Sequence, residues 1–236
     1  MNEDIQRETA DAERETSDAR FGFIGKILSL YTHEVKNHLA VINESVGLIG
    51  DILEFNTGPS RDPAQMLEIV QNVKAAIKRS SEFTGFLNRF AHRMDAPISS
   101  FNAGDVVEEV AALLHKAAAQ NMVVVAIRTA ADLPPAANNP SMLQFILWLF
   151  LFGAITGVEV NSTITVRTQK SQRGLTVLIT TGGKMTRPGG GRKSLCSDEV
   201  FAHAVQRTGI TVTETDEAVE ISIPASLQHA VNGSLS

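Results

Sequence analysis

From Leu28 onward, apolar side chains recur at Leu28, Val35, Leu39, Ile42, Val46, Ile49 and Leu53, and Thr32 fills the one remaining place in an alternating spacing of three and four. That spacing holds one stripe of a helix against a partner along its length, which is the heptad pattern of a bundled helix. The stripe stops at Phe55-Asn56-Thr57-Gly58-Pro59, where a glycine suited to a left-handed cap precedes a proline that cannot continue a helix. Asp62-Pro63 supplies an N-cap and a first helical position, and the spacing resumes at Met66, Val70, Val73, Ile77, Ser80, Thr84, Leu87, Ala91 and Met94. Two long amphipathic helices joined by a short turn fold back antiparallel, and a single hairpin covers its own seam poorly. The pattern therefore predicts a homodimer in which two hairpins form a four-helix bundle through Leu39, Ile42, Val46, Ile77 and Leu87.

After Pro97 the heptads give way to mixed signals. A helix is expected over 106–119, a β-branched strand over 122–128, a loop at Pro134-Pro135 and a buried helix over 141–156. Strands over 163–168 and 175–181 turn at Arg173-Gly174. A glycine-rich stretch reaches Gly191 and is followed by a helix over 198–208 and strands over 210–214 and 218–223. The fold class is thus α+β. Residues 1–20 read as a charged helical lead-in, 21–96 as the hairpin, 97–225 as an α/β domain and 226–236 as a flexible tail.

Composition narrows the function. Hydrophobic residues make up 43% of the chain and charged ones 20%, enough apolar surface for a folded soluble protein. The net charge is −5 and the basic residues are scattered, so the concentrated Lys/Arg footprint of a nucleic-acid binder is missing. The single Cys196 excludes an intrachain disulfide and a cysteine-rich metal site, which suits a reducing compartment. The acidic and basic first twenty residues do not resemble a secretory signal. The longest apolar run, 142–158, is interrupted by Gln144, Gly153, Thr156 and Gly157 and reads as a core helix. A cytoplasmic protein without membrane insertion is expected.

The first helix also carries Thr32-His33-Glu34-Val35-Lys36-Asn37-His38-Leu39-Ala40. With Thr32 in the seam, His33 points away from it toward solvent, and Asn37 lies one turn on, on the same side. Neutral imidazole attacks phosphorus near neutral pH when an acidic neighbour fixes its tautomer and shares its proton, and Glu34 is placed for that. Most surface histidines are merely solvated, and His38, His92, His115, His203 and His229 are expected to be surface or cap residues with no metal-binding spacing. What sets His33 apart is its acid and amide neighbours on a heptad helix.

This stretch resembles the H-box of sensor histidine kinases, in which a histidine and an acid are followed by an Asn or Thr and usually by a Pro-Leu pair. Here His38 stands in place of the proline. The resemblance implies that His33 is the phosphorylated residue, Glu34 its acid–base partner and Asn37 the residue that orients water during dephosphorylation. Lys36 would contact the phosphoryl group.

In order and length, the second half resembles the ATP-binding domain of the same family, a mixed sheet covered by helices on one face. The family's Asn, which holds Mg²⁺ and phosphates, is replaced by Gly153. The Asp that reads adenine, ahead of Gly-x-Gly, is replaced within Ile179-Thr180-Thr181-Gly182-Gly183-Lys184, and a threonine cannot reproduce that charge-assisted contact. Gly189-Gly190-Gly191 reads as a linker, with a relic of the family's phosphate lid as the alternative. A site lined by Leu149, Phe150 and Phe152 offers no oxygen to a metal, so bound ATP, bound metal and ATP-dependent kinase activity are not expected. The reading is a degenerate kinase that has kept its phosphoacceptor: a histidine phosphotransferase exchanging a phosphoryl group between His33 and receiver-domain aspartates of response regulators, which supply the Mg²⁺. Two alternatives stand beside it, an active kinase with an atypical ATP site and a non-catalytic dimeric adaptor.

Overall fold

Helical patterning breaks twice, at Gly58-Pro59 between the two arms of a long hairpin and after His92, where a mixed α/β region begins. The computed structural model describes residues 2–55, 63–182, 205, 208–215 and 218–225. Helix α1 is Asn2–Phe55 and α2 is Pro63–His92, with Pro63 at the first helical position as its sequence requires. The chain separates into two units, residues 24–88 and residues 1–23 with 89–236. The whole is α+β, a helical hairpin followed by a sheet domain.

Within residues 24–88 the helices face each other across a stripe of Ile27, Tyr31, Glu34, His38, Ile42, Ser45, Ile49 and Ile52 on α1, met by Met66, Ile69, Val73, Ala76, Ser80, Phe83 and Leu87 on α2. This is a heptad seam, displaced by one position from much of the expected one. Leu39 (56% exposed), Val46 (55%) and Ile77 (53%) lie outside it, as do Leu28, Leu53, Leu67 and Val70. Two parallel stripes on α1 therefore run side by side. The hairpin closes over the more polar of them and leaves the more apolar one uncovered. The sequence pattern picks out the apolar stripe because hydrophobic spacing cannot say which of two neighbouring stripes meets the partner helix of the same chain.

The sheet domain begins with the short strand β1, Ser99–Phe101, and α3, Ala103–Gln120, whose N-cap Asn102 accepts a hydrogen bond from Gly104 N. Strand β2 is Val124–Thr129 and β3 is Ala136–Asn138. Helix α4, Pro140–Gly157, starts with Pro140 behind an Asn139 cap that accepts from Met142 N. Strands β4 (Thr163–Ser171), β5 (Gly174–Thr181), β6 (Thr211–Glu214) and β7 (Ala218–Pro224) complete it. The main sheet has the order β2-β4-β5-β7-β6, parallel between β2 and β4 and antiparallel elsewhere. β1 and β3 pair separately as a ribbon that the sequence signals are too short to reveal.

Alternation along the strands makes the sheet one-sided. Ile164 and Val166 on β4, Leu175, Val177 and Ile179 on β5, and Ile221 and Ile223 on β7 are buried. Against them lie Val106, Val110 and Leu114 of α3 and Leu143, Ile146, Leu147 and Leu151 of α4, all buried. Each such side chain contributes about 1.5–3 kcal/mol of transfer free energy. Gly174 opens β5 where a Cβ would collide with the Ile223 carbonyl of β7, which explains the glycine at that turn. Helix α4 is long and apolar enough to cross a membrane by composition, yet 72% of it is buried inside the protein.

Two polar or aromatic clusters order this unit further. Phe23 is buried with its ring 5.4 Å from Phe90, 5.6 Å from Phe145 and 5.1 Å from Trp148, while Arg20 Nη2 donates to Ser141 Oγ at 2.9 Å. Glu109, 1% exposed on α3, accepts from Arg93 Nη2 at 3.0 Å and Nε at 3.3 Å, with Arg89 Nε at 3.5 Å and Gln144 Nε2 at 3.4 Å. The glycine-rich stretch from Gly183 and most of the expected helix over 198–208 lie outside the described residues, as do Cys196 and the tail.

Candidate functional site

The motif residues occupy consecutive turns of α1, so helical geometry alone sorts them onto two sides. His33 is exposed, and one turn along Asn37 Nδ2 stands 3.3 Å from His33 Nδ1. Lys36 is exposed on the same helix. Thr32 is also exposed; its Oγ1 bonds back to the Leu28 carbonyl at 2.8 Å instead of entering a seam. Thus His33 and Asn37 come together as an exposed pair.

Glu34 and His38 form a second pair with the same four-residue separation, turned toward α2. Glu34 Oε1 lies 3.5 Å from His38 Nε2, and His38 Nδ1 lies 2.9 Å from Ser80 Oγ on α2. His38 is 9% exposed. The expectation that His38 is a surface or cap residue is therefore overturned: the inner stripe passes through position 38, and the buried ring has found a polar partner for each nitrogen, as a buried polar group requires. One turn toward the N-terminus, Tyr31 Oη and Thr84 Oγ1 are 3.2 Å apart, and Tyr31 stacks on Phe83 with centroids 5.6 Å apart. Sequence reasoning missed this polar layer. Its trace was visible in Ser80 and Thr84, two hydroxyl residues at consecutive positions of the expected seam of the second helix.

The other predicted locus lies on α4 and β5. Gly153 is half-buried, and a Cβ built on it meets nothing within 4 Å. Leu149 and Phe152 are half-buried beside it, and Phe152 stacks on Trp148 with rings 5.3 Å apart and 7° from parallel. Phe150, expected to line the same site, instead points into the core with 5% exposure, because its place on the helix falls on the sheet side. Thr180 is half-buried in β5, paired with Thr165 and Ala218, and its hydroxyl reaches the Thr165 carbonyl at 3.5 Å. The side chains at this locus are therefore aromatic, aliphatic or hydroxyl. Among the described residues, no three His, Cys, Asp or Glu side chains gather as a metal-binding group.

No protein-family model matches the chain, and no curated protein matches it in sequence. Among solved structures it is similar to the histidine kinase AdeS of Acinetobacter baumannii, with 13% identity, a TM-score of 0.46, and coverage of 82% of this chain and 98% of that one. It is similar also to histidine kinase ThkA in its complex with the response regulator protein TrrA, with 14% identity, a TM-score of 0.46, and coverage of 93% and 66%. A structure described as a bacterial phosphotransferase matches with 14% identity, a TM-score of 0.44, and coverage of 84% and 93%. At these identities and TM-scores the likeness carries no argument about chemistry, which rests on the residues of α1 and α4 themselves.

Proposed function

We propose that the chain is a histidine phosphotransferase of two-component signalling that accepts and returns a phosphoryl group at His33. The observation that carries this reading is the exposed His33 ring with Nδ1 turned to Asn37. The amide nitrogen as it stands donates to Nδ1, and once the amide turns its Oδ1 toward Nδ1–H the lone pair, and with it attack at phosphorus, falls to Nε2. An Nε2–P bond forms as the P–O bond to the receiver aspartate breaks, and the aspartate leaves as a carboxylate. The proton on Nδ1 is held or shared while this happens, and the Glu34 carboxylate on the adjoining residue provides the compensating charge. The reverse step returns the group.

The partner is a receiver domain of a response regulator, which supplies its own Mg²⁺. Lys36, exposed beside the pair, would meet the phosphoryl charge. The chain acts as a homodimer, with Leu28, Leu39, Val46 and Ile77 covered by the second copy; their exposure on one hairpin supports this. ATP is not the donor, since Gly153 and Thr180 bring neither the amide nor the carboxylate that would hold Mg²⁺ and adenine. Incubation with a phosphorylated receiver, with and without ATP, tests the reading: label should enter the wild-type chain from the receiver and not from ATP.

A further inference from the structure

Strand β2 stands at one edge of the main sheet and pairs only with β4, in unbroken parallel register from Val124 with Thr163 to Thr129 with Thr168. Val124 N donates to the Ser162 carbonyl at 3.0 Å, so the backbone of that residue faces β4. In a parallel ladder alternate residues direct both backbone groups to one neighbour, and those of Val125, Ile127 and Thr129 therefore face away from β4. No described residue takes their N–H or C=O groups. Natural edge strands are blunted by proline, lysine, a bulge or a covering element. Residues 124–129, Val-Val-Ala-Ile-Arg-Thr, have none of the first three, and Ile127, Arg128 and Thr129 are exposed.

The charge beside this edge has one sign. Buried Ile164, Val166 and Thr168 put the odd-numbered positions of β4 on the face away from the helices, together with their register partners Val124, Ala126 and Arg128. Arg128 is thus directly opposite Arg167 on that face, and both are exposed. Like charges opposed in this way repel, and among the described residues no carboxylate pairs with either. Along the same row Leu178 on β5 comes next and Glu220 on β7 follows, about 10 Å from Arg167 at two strand spacings. A strand added to β2 would stand one spacing from Arg128, where a carboxylate would set an attraction against the repulsion. At the other end of β2, Met122, Val124 and Val160 are each more than half exposed, and Asn161 N donates to the Met122 carbonyl at 2.8 Å. That end is an apolar corner.

We propose that the free edge of β2 is a docking site for an extended acidic segment of a partner protein, which adds a strand with a carboxylate beside Arg128 and an apolar side chain beside Val124. Antiparallel addition fixes the spacing. Backbone bonds form to Val125, Ile127 and Thr129, so the partner residues opposite Arg128, Ala126 and Val124 project to the arginine face, and the sequence read is acid-x-apolar-x-apolar. A second copy of this chain fits less well, since pairing two β2 edges sets a second arginine pair beside the first and brings no carboxylate.

The test uses the full chain and a capped Thr-Glu-Thr-Val-Thr-Val-Thr peptide at millimolar concentration. Hydrogen exchange should slow at the amides of Val125, Ile127 and Thr129, by about 5-fold at four times the dissociation constant, while those of Ala126 and Arg128, which face β4, change little. N-methylation of the threonine after the glutamate should abolish the protection, because that nitrogen meets the Ile127 carbonyl. A peptide with lysine in place of glutamate should bind about 3- to 10-fold more weakly, and Arg128→Glu should reverse that preference. A circular dichroism melt of Arg128→Glu separates lost recognition from lost fold, and the peptide variants leave the protein untouched. No protection, protection without the alternation, or N-methylated and lysine peptides as effective as the parent would overturn the proposal. Protection of the same amides in the peptide-free chain, rising with protein concentration, would assign the edge to a second copy and overturn it as well.

Discussion

Asn37 Nδ2 lies 3.3 Å from Nδ1 of His33 on an exposed turn of α1, and since an amide nitrogen only donates, this orientation makes Nδ1 the acceptor and leaves the hydrogen of the neutral ring on Nε2, whereas the flipped amide favours the other tautomer. When its oxygen faces Nδ1–H, Nε2 carries the lone pair that attacks phosphorus. Asn37→Ala should therefore mix the two tautomers, visible in the ring ¹⁵N shifts, and slow transfer by about 3- to 10-fold, the range of a single hydrogen bond. It should also reduce net hydrolysis of the receiver's phosphoaspartate, leaving label on His33 for longer. An unchanged tautomer and unchanged hydrolysis would remove Asn37 from the site.

The uncovered stripe gives the second prediction. Leu39, Val46 and Ile77 are each more than half exposed on the isolated hairpin, an arrangement that invites a second copy. Val46→Glu combined with Ile77→Glu should convert a dimer to a folded monomer with half the mass by light scattering. A wild-type chain that is monomeric at micromolar concentration would rule out the four-helix bundle.

At the α4 locus, calorimetry should detect no Mg²⁺-dependent binding of ATP at millimolar concentration, since Leu149, Phe152 and Gly153 present no oxygen to a metal. Saturable binding would move the account to an active kinase. The glycine is not required by space. With nothing within 4 Å of its would-be Cβ, Gly153→Ala should stabilise the helix by about 0.5–1 kcal/mol and raise the melting temperature slightly.

Glu109 supplies a prediction about stability rather than chemistry. It is 1% exposed and neutralises Arg93, with Arg89 nearby, so Glu109→Ala leaves a part-buried guanidinium without its carboxylate. Breaking a buried pair from one side costs roughly 3–5 kcal/mol, and a melt of this variant should show a large loss. Glu109→Ala melting within a degree or two of wild type would show that the pair contributes little.

Much of this architecture is legible in the sequence because its signals are local. Asp62-Pro63 marks the start of α2, and a strand pair turns at Arg173-Gly174; glycine is needed there by the close approach of the Ile223 carbonyl. Helix α4 is apolar nearly all round, as a helix packed against both α3 and the sheet must be. Hidden from the sequence is the choice of which of two adjacent stripes faces the partner helix. A shift of one residue takes His38 from the surface to a buried hydrogen bond with Ser80, and one further step round α4 takes Phe150 from a cleft to the core. The pairing of β1 with β3 is a long-range contact of three residues each, with too little periodicity to announce itself.

The central claim is tested most directly by exposing the wild-type chain and His33→Ala to a receiver domain carrying labelled phosphoaspartate, then assaying the chain for acid-labile, base-stable phosphate. The account predicts label on the wild type, none on His33→Ala, and a loss of about 10²- to 10⁴-fold in rate for Glu34→Ala with receiver binding nearly intact. Label on the His33→Ala chain, or no transfer to wild type from any receiver of the source organism, would contradict it and leave a non-catalytic adaptor as the better description.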